Sequence, residues 1–283
     1  MPLAHQPLSS IRIPQLAERL VSLTPTGFDI LAELGLTPLL PPGTGSYFFP
    51  DFRAIAQVKP DLILACAFPH RAWLWRLQRL APVYLLAIGG LETACQNLME
   101  IAQLTGRVDQ AQRAIDRLRG GIKRYSIQLA PLPKPTVLMM GGSWLNVLNR
   151  RLIIETEAGA LGSVLKDLAY YPWRAATGSE SGIGAASLRQ ILQVNPDVIF
   201  VQSYPLGPWR QPPITQQLVK LPEWRQLRAV QSHQVFEVDP FWHQGSGTAS
   251  IGRMVDHLLP RIYPDQIFDA LSPRKSSELS GQS

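Results

Sequence analysis

The sequence predicts an α/β protein of two similar lobes with mostly parallel sheets, joined by a single long helix. The stretch from Leu91 to about Ile127 is the longest helix-compatible run without proline, and its apolar residues recur at helical spacing. A Pro-Asp turn followed by an apolar strand occurs once on each side of this run, at residues 59–63 and 195–199. A single large domain, with the run as one more crossover helix, satisfies the same periodicity.

Composition narrows the classes of protein. The 283 residues include 46% apolar residues, and the formal net charge of +6 is dispersed without a Lys/Arg block, so we expect no nucleic-acid partner. No run approaches the roughly 20 apolar residues of a transmembrane helix. Cys66 and Cys95 are too few and too isolated for a disulfide framework or a zinc site. The 25 prolines lie in loops and favour short, fixed connections.

The first lobe is expected over residues 1–91. A strand at 19–23 should lead into a helix capped by Thr24 or Thr26, and Asp51 should cap a second helix before a buried strand at 59–68. Arg71 and Trp73 follow that strand, and ligands of open α/β sheets bind at the carboxyl ends of strands. Trp73 offers an apolar platform, and the guanidinium of Arg71 suits carboxylate or catecholate oxygens.

The second lobe is expected over residues 129–271, after a helical connector at 92–128. Its first strand, at 136–142, is followed by Trp144, and a helix is predicted over 155–168. After the repeated Pro-Asp strand, further aromatic and cationic residues occupy the place that Arg71 and Trp73 hold in the first lobe, and a strand at 235–238 leads to the same rim. These residues are Tyr204, Trp209, Arg210, Trp242 and His243. A helix at 250–259 precedes a polar tail at 272–283, expected to be disordered.

The order of these segments resembles the periplasmic-binding-protein family for iron–siderophore and cobalamin uptake, in which two Rossmann-like lobes are joined by one long helix. The matching stretches are residues 19–36, 54–64, the connector, 187–201 and 224–258. The last of them looks most like the iron-siderophore branch.

The resemblance implies a binding protein of an ABC importer, not an enzyme. It would capture a ferric-siderophore in the interlobe cleft and deliver it to a membrane permease and its ATPase. Because the metal arrives already chelated, we expect neither an intrinsic cofactor nor protein metal ligands. The expected ligand-binding residues are Arg71, Trp73, Trp144, Tyr204, Trp209, Arg210, Trp242 and His243, with Arg174 as a further cation. The chain is expected to be a monomer.

Two departures from the family pattern stand out. The family usually carries, on each lobe, a glutamate that docks onto permease arginines, and here the matching positions are Arg53 and Arg189. Like charges would oppose that docking, unless other residues dock or the partner's charges are reversed. The loop at 41–50 is also shorter than usual, which counts against cobalamin.

Location and alternative functions stay open at this point. The resemblance implies a periplasmic protein, whereas the chain as written shows no signal peptide and no cysteine before Cys66 for a lipid anchor, which would suit a cytoplasmic chelate carrier or sensor. Cobalamin or haem is the alternative ligand, with His70 or His243 as an axial haem ligand. An enzyme is disfavoured because Gly182-Ile183-Gly184 lacks the third glycine of a dinucleotide loop and no hydrolase elbow or phosphate loop occurs.

Overall fold

A computed structural model describes residues 15–42, 44–45, 48–176, 182–203, 213–238 and 247–272. Within them the strands are β1 (Leu20–Ser22), β2 (Leu62–Cys66), β3 (Val83–Leu86), β4 (Val137–Gly142), β5 (Leu152–Glu155), β6 (Ile183–Ala186), β7 (Val198–Ser203) and β8 (Val235–Val238). The helices are α1 (Pro25–Glu33), α2 (Phe52–Val58), α3 (Ala67–His70), α4 (Leu74–Leu77), α5 (Leu91–Thr105), α6 (Val108–Leu129), α7 (Trp144–Leu148), α8 (Gly162–Leu168), α9 (Leu188–Val194), α10 (Thr215–Leu218), α11 (Pro222–Arg225), α12 (Arg228–Gln231) and α13 (Thr248–Ile262).

The first sheet consists of three parallel strands in the order β1-β2-β3. Every residue of the central strand β2 is buried, as expected for a parallel strand covered on both faces. At the start of α1, the hydroxyl of Thr24 accepts a hydrogen bond from the backbone N–H of Gly27 at 2.9 Å. Of the two predicted caps, Thr24 is therefore the one used.

The second sheet has five strands in the order β6-β5-β4-β7-β8. Strands β4, β7 and β8 are parallel, as the sequence predicted, whereas β5 and β6 are antiparallel additions at one edge. Neither β5 nor β6 was predicted from the sequence. Both are four-residue strands, and β6 is largely exposed, so neither shows the long buried run typical of a central parallel strand.

The helix predicted over residues 155–168 is wrong in its first half. Glu155 ends β5, and α8 begins only at Gly162. The turn between them is held by the Glu155 carboxylate, which accepts hydrogen bonds from the backbone N–H groups of Leu161 at 2.6 Å and Gly162 at 2.9 Å. The turn and the short helix share one core, and together they produce the apolar spacing that suggested a single helix.

The two predicted copies of the Pro-Asp turn adopt the same structure. Lys59 ends α2 and Asn195 ends α9, both in the left-handed backbone region with φ of 45° and 50°. The Asp61 carboxylate then accepts from the N–H of Arg19, just before β1, at 2.9 Å. In the second lobe the Asp197 carboxylate accepts from the N–H of Thr136, just before β4, at 2.8 Å. The internal repeat seen in the sequence is thus a repeat of structure.

The predicted connector is two helices, not one. Gly106, with φ of 70°, ends α5 in the left-handed region, and α6 begins at Val108. Helix α5 packs mainly against the first sheet's core, through residues such as Leu98 and Ile101, while Ala94 near its start lies in the core of the second sheet. The expectation of one rod from 91 to 127 is therefore wrong, because Gly106 breaks the run.

Helix α6 joins the two lobes. Near its start, Ala111, Ala114 and Ile115 lie in the core beside the first sheet. Further along, its buried side chains belong to the second sheet's core, including Leu118 and Ile122. At about 1.5 Å per residue, its 22 residues span roughly 33 Å. The proposed lobe limits at 91 and 129 stay predictions.

At the end of the chain, the last described residue is anchored. The backbone N–H and the hydroxyl of Ser272 both bind the Asp256 carboxylate on α13, at 2.9 and 2.8 Å. The rest of the predicted disordered tail, residues 273–283, lies outside the described residues. Among the helices of the described ranges, none combines the length and apolarity needed to cross a membrane.

Candidate ligand-binding site

Residues after β2 form the first candidate surface. The chain leaves the strand through α3 and a 3-10 turn, Arg71–Trp73, at the carboxyl edge of the first sheet. Arg71 is exposed there, as predicted for a ligand-facing guanidinium. Its position at this edge suits contact with an anionic ligand.

Trp73 contacts the loop before α2. It is half-buried, its indole N–H donates to the backbone carbonyl of Phe48 at 2.9 Å, and its ring contacts Phe49 and Phe52 with centroids 6.0 and 5.7 Å away. Trp73 therefore fixes the loop before α2 against the residues after β2. Its role as a platform for the ligand stays a prediction.

Three exposed phenylalanines near Trp73 were not predicted from the sequence as ligand-binding residues. Phe48, Phe49 and Phe68, here called the aromatic shelf, are half or more exposed, and the Phe48 and Phe68 rings meet edge to face at 6.0 Å. Exposed aromatic side chains grouped in this way are typical of binding surfaces. The available signals were the Phe48-Phe49 pair in the loop and a Phe directly after a buried strand.

Trp144 occupies the corresponding place in the second lobe. Strand β4 ends at Gly142, whose φ is 145°, and a side chain there would collide with Asn146. Ser143 follows as the cap of α7, with its backbone N–H donating to the Asn146 side chain at 2.9 Å. This tight turn leaves Trp144 38% exposed at the sheet's carboxyl edge.

A groove of about 580 Å³ lies beside Trp144, between α7 and the segment around α10. Its walls combine the apolar side chains of Trp144 and Leu148 with the cationic side chains of Arg150 and Lys220. Arg150 also forms an ion pair with Glu223 at 3.4 Å. Apolar surface next to positive charge suits a partly organic anion.

Five predicted ligand-binding residues lie outside the described residues: Tyr204, Trp209, Arg210, Trp242 and His243. The strands that precede them, β7 and β8, run parallel to β4 and end at Ser203 and Val238. The two segments therefore begin at the same edge of the sheet as Trp144. Their contribution to the site stays a prediction.

Two other candidates, Arg174 and His70, have partners within their own lobe. Arg174 forms an ion pair with Glu157 at 3.1 Å, which offsets its charge, and the preceding Trp173 is buried, with its indole N–H donating to the Val137 carbonyl at 2.7 Å. His70 is 1% exposed, and its Nδ1 lies 3.3 Å from the backbone N of Cys66 and 3.4 Å from the Cys66 sulfur. A ring held inside the lobe in this way is poorly placed for axial ligation of haem.

Metal ligation by the protein finds no support in the described ranges. Among those residues, His, Cys, Asp and Glu side chains do not form any group of three or more suited to holding a metal ion.

Arg53 and Arg189 lie at matching positions of the two lobes. Each is the second residue of the helix that precedes a Pro-Asp strand, α2 and α9, and each is exposed. The helices are capped alike, by the side chains of Asp51 and Ser187. The structural repeat therefore presents the same positive charge once on each lobe.

The paired α/β sheets joined through α6, with exposed aromatic residues and cations at their carboxyl edges, define a two-lobed binding protein. Residues 20–240 match the model of the family described as periplasmic binding protein, and the chain belongs to that family. The iron-siderophore branch singled out from the sequence agrees with the relatives found.

Three similar proteins illustrate the range of relatives. The Fe(3+) dicitrate-binding periplasmic protein FecB of Escherichia coli is 34% identical over 191 residues, 67% of this chain and 59% of that protein. The Fe(3+)-citrate-binding protein YfmC of Bacillus subtilis is 21% identical over 256 residues, 86% of this chain and 76% of its own length. The structure of FeuA from Bacillus subtilis, a triscatecholate siderophore binding protein complexed with ferri-bacillibactin, has a TM-score of 0.72 at 21% identity and covers 90% of this chain and 94% of its own.

Proposed function

We propose that this protein binds an iron(III) chelate between the carboxyl edges of its two sheets and delivers it to an ABC-type importer. The observation that carries the proposal is the pairing of exposed aromatic side chains with cations at both edges, at Arg71 and the aromatic shelf and at Trp144 with Lys220. Ferric chelates present an organic shell and negative charge, which such walls complement. The names of FecB and YfmC add citrate as the first chelator to test.

The direct experiment is a fluorescence titration of the protein with ferric citrate, ferric catecholate, ferric hydroxamate, haem and cobalamin, with iron-free citrate as the control. We expect saturable tryptophan quenching by at least one ferric chelate and none by cobalamin. Saturation by haem or cobalamin alone would replace the proposed ligand class, and no saturation by any of them would refute the proposal.

Replacing Trp144 or Arg71 by alanine is expected to weaken chelate binding by about 1–3 kcal/mol, the range for a well-placed interface anchor. The reason is the loss of an apolar contact in one case and of a charge-assisted hydrogen bond in the other. Calorimetry of each variant with the chelate identified above provides the measurement.

A matched control for Trp144→Ala is Tyr170→Ala. Tyr170 is also an exposed aromatic residue of the second lobe, but it lies beside Thr136, at the opposite end of β4. We expect Tyr170→Ala to bind with unchanged affinity. Equal affinity for all three variants and the wild type would move the site away from Arg71 and Trp144.

Arg53 and Arg189 are both positively charged. We propose that the importer's docking surface carries acidic residues where it contacts them. We expect Arg53→Glu combined with Arg189→Glu to leave chelate affinity unchanged and to abolish most uptake, because like charges would then meet. Uptake of radioactive iron by cells that carry the importer tests this.

The control for that double variant carries the same change in net charge elsewhere. Arg113→Glu combined with Arg124→Glu alters two exposed positions of α6, away from α2 and α9. Uptake should persist in this control. Loss of uptake in both double variants would indicate a dependence on net charge rather than docking by Arg53 and Arg189.

Location and assembly complete the proposal. We propose a periplasmic location, as in the names of the relatives, and a monomer that binds one chelate. The aromatic and cationic residues outside the described ranges would add to the second wall of the site: Tyr204, Trp209, Arg210, Trp242 and His243.

A further inference from the structure

Helix α13 belongs to the second lobe but is fastened to the first. Its apolar face, including Ile251, Met254 and Val255, is buried in the core of the second sheet. Its first turn instead meets α1, whose Ile30 and Leu31 lie in the core of the first sheet. Helix α13 thus forms a second bridge between the lobes, in addition to the covalent one through α6.

The bridge is centred on Asp29 of α1, which is 9% exposed. Its carboxylate accepts hydrogen bonds from the backbone N–H of Ser250 at 3.0 Å and from the Arg253 guanidinium at 2.7 Å. Buried carboxylates are retained where such partners compensate for lost hydration. Separating the lobes at this point would remove both partners from a buried charge.

Helix α13 lacks a cap of its own. Its N-cap residue is Gly247, which has no side chain to accept a hydrogen bond from the first turn. A side chain there would lie 2.1 Å from a carboxylate oxygen of Asp29. The first lobe therefore supplies the acceptor that the helix itself omits, and its negative charge also suits the positive end of the helix dipole.

Glu33, one turn after Asp29 on α1, connects three helices. Its carboxylate accepts from the hydroxyl of Thr248 on α13 and forms an ion pair with Arg117 on α6 at 2.6 Å. The two acidic residues of α1 thus hold both elements that link the lobes. Rotation of one lobe against the other would have to break this set of contacts together.

We propose that Asp29 and Glu33 are positioning residues that hold the two walls of the binding cleft at a fixed angle, so that the chelate enters a preformed site. The effect on binding rests on the function proposed above, whereas the effect on lobe orientation does not. When the cleft does not have to close, binding carries no free-energy cost for ordering the lobes, and the affinity is higher. Loosening these contacts should widen the distribution of lobe angles and speed chelate release.

The test uses Arg253→Met, which removes the guanidinium, and Arg253→Lys, which keeps a charged donor for Asp29. Spin labels at Gln57→Cys on α2 and Gln193→Cys on α9, both exposed and one in each lobe, report the distance between lobes in the protein without ligand. The native Cys66 and Cys95 are buried. We expect a broader distance distribution in Arg253→Met and recovery toward the wild type in Arg253→Lys.

Ligand release is the second readout. The ferric citrate dissociation rate should rise by about fivefold or more in Arg253→Met, the scale of a modest coupling between sites. Glu92→Gln is the control, because it removes an ion pair to Arg119 that joins α5 to α6 without reaching α13. Asp29→Asn, which keeps an acceptor for the Ser250 N–H, serves if Arg253→Met does not fold.

The two readouts separate the proposals. An unchanged distance distribution in both Arg253→Met and Asp29→Asn would overturn the positioning role. A broadened distribution in a protein that binds no ferric chelate would support the clamp and refute the proposed function. Broadening in Glu92→Gln to the same extent would show that any ion pair near α6 has this effect, and would also overturn the specific role of Asp29.

Discussion

Trp224→Ala is expected to lower the free energy of unfolding by about 3–5 kcal/mol, the range for removing a buried aromatic side chain. Trp224 lies on α11, is 1% exposed and belongs to the core of the second sheet. Truncation would remove the apolar contacts of the indole ring and leave a cavity in the core of the second sheet, which the surrounding residues can fill only partly. Urea denaturation followed by far-ultraviolet circular dichroism measures the change without relying on the lost indole.

Trp75→Ala is the matched control for this experiment. Trp75 is the same residue type, but it is 57% exposed on α4 and its ring stacks on the Arg79 guanidinium. Loss of an exposed contact of this kind should cost no more than about 1 kcal/mol. Similar losses in the two variants would mean that burial does not set the contribution of these tryptophans.

Glu155→Gln is expected to stabilise the protein at alkaline pH and to have little effect at acid pH. Burial raises the pKa of the Glu155 carboxyl from 4.5 to about 7, although the N–H groups of Gly162 and Leu161 act in the opposite direction. A raised pKa means that the folded state holds its proton more tightly than the unfolded state. The wild type therefore loses stability as pH rises from about 4.5 through 7, by about 3 kcal/mol in all.

The measurement is the difference in unfolding free energy between Glu155→Gln and the wild type, taken at several values between pH 5 and pH 8. Glutamine keeps a carbonyl oxygen for the N–H groups of Leu161 and Gly162 but has no charge to bury. The unfolding free energy of the variant should exceed that of the wild type by an amount that grows as pH rises. The contributions of the other titrating groups are the same in both proteins and cancel in the difference. A constant difference across this range would contradict a raised pKa for Glu155.

Local chemistry made several elements predictable. The capping hydroxyl of Thr24 and the capping carboxylate of Asp51 bind N–H groups within three positions along the chain, and both predictions were confirmed. The two Pro-Asp turns were also confirmed, although their carboxylates bind N–H groups 42 and 61 positions away. In the second turn, burial alone would raise the pKa of Asp197, but the Thr136 N–H and the Arg228 guanidinium hold it below its ordinary value. Each lobe therefore repeats one unit, whose Pro-Asp motif is visible in the sequence and whose carboxylate contacts join it to a neighbouring strand.

Other features depended on packing that no local pattern reveals. Trp73, predicted as a platform, is half-buried and binds the Phe48 carbonyl, while the exposed rings nearby belong to Phe48 and Phe49. The turn between β5 and α8 was mistaken for the first half of a helix, because Leu161 in the turn and Val164 and Leu165 on α8 face the same core at helical spacing. The spacing of apolar residues shows that a segment has an apolar side, but it does not show which part of the protein packs against that side.

The sequence by itself determined an α/β fold, the positions of its two Pro-Asp strands, and a long helical stretch between them, which favoured two lobes without excluding one domain. Tertiary structure decided which tryptophans are buried, since Trp173 and Trp224 lie in the core while Trp75 and Trp144 are exposed. It also decided that Gly106 divides the helical run and that Asp29 fastens α13 to α1 across the lobes. The physical reason is range: the caps of α1 and α2 are set by neighbours along the chain, whereas burial and contacts between lobes arise between residues up to 224 positions apart.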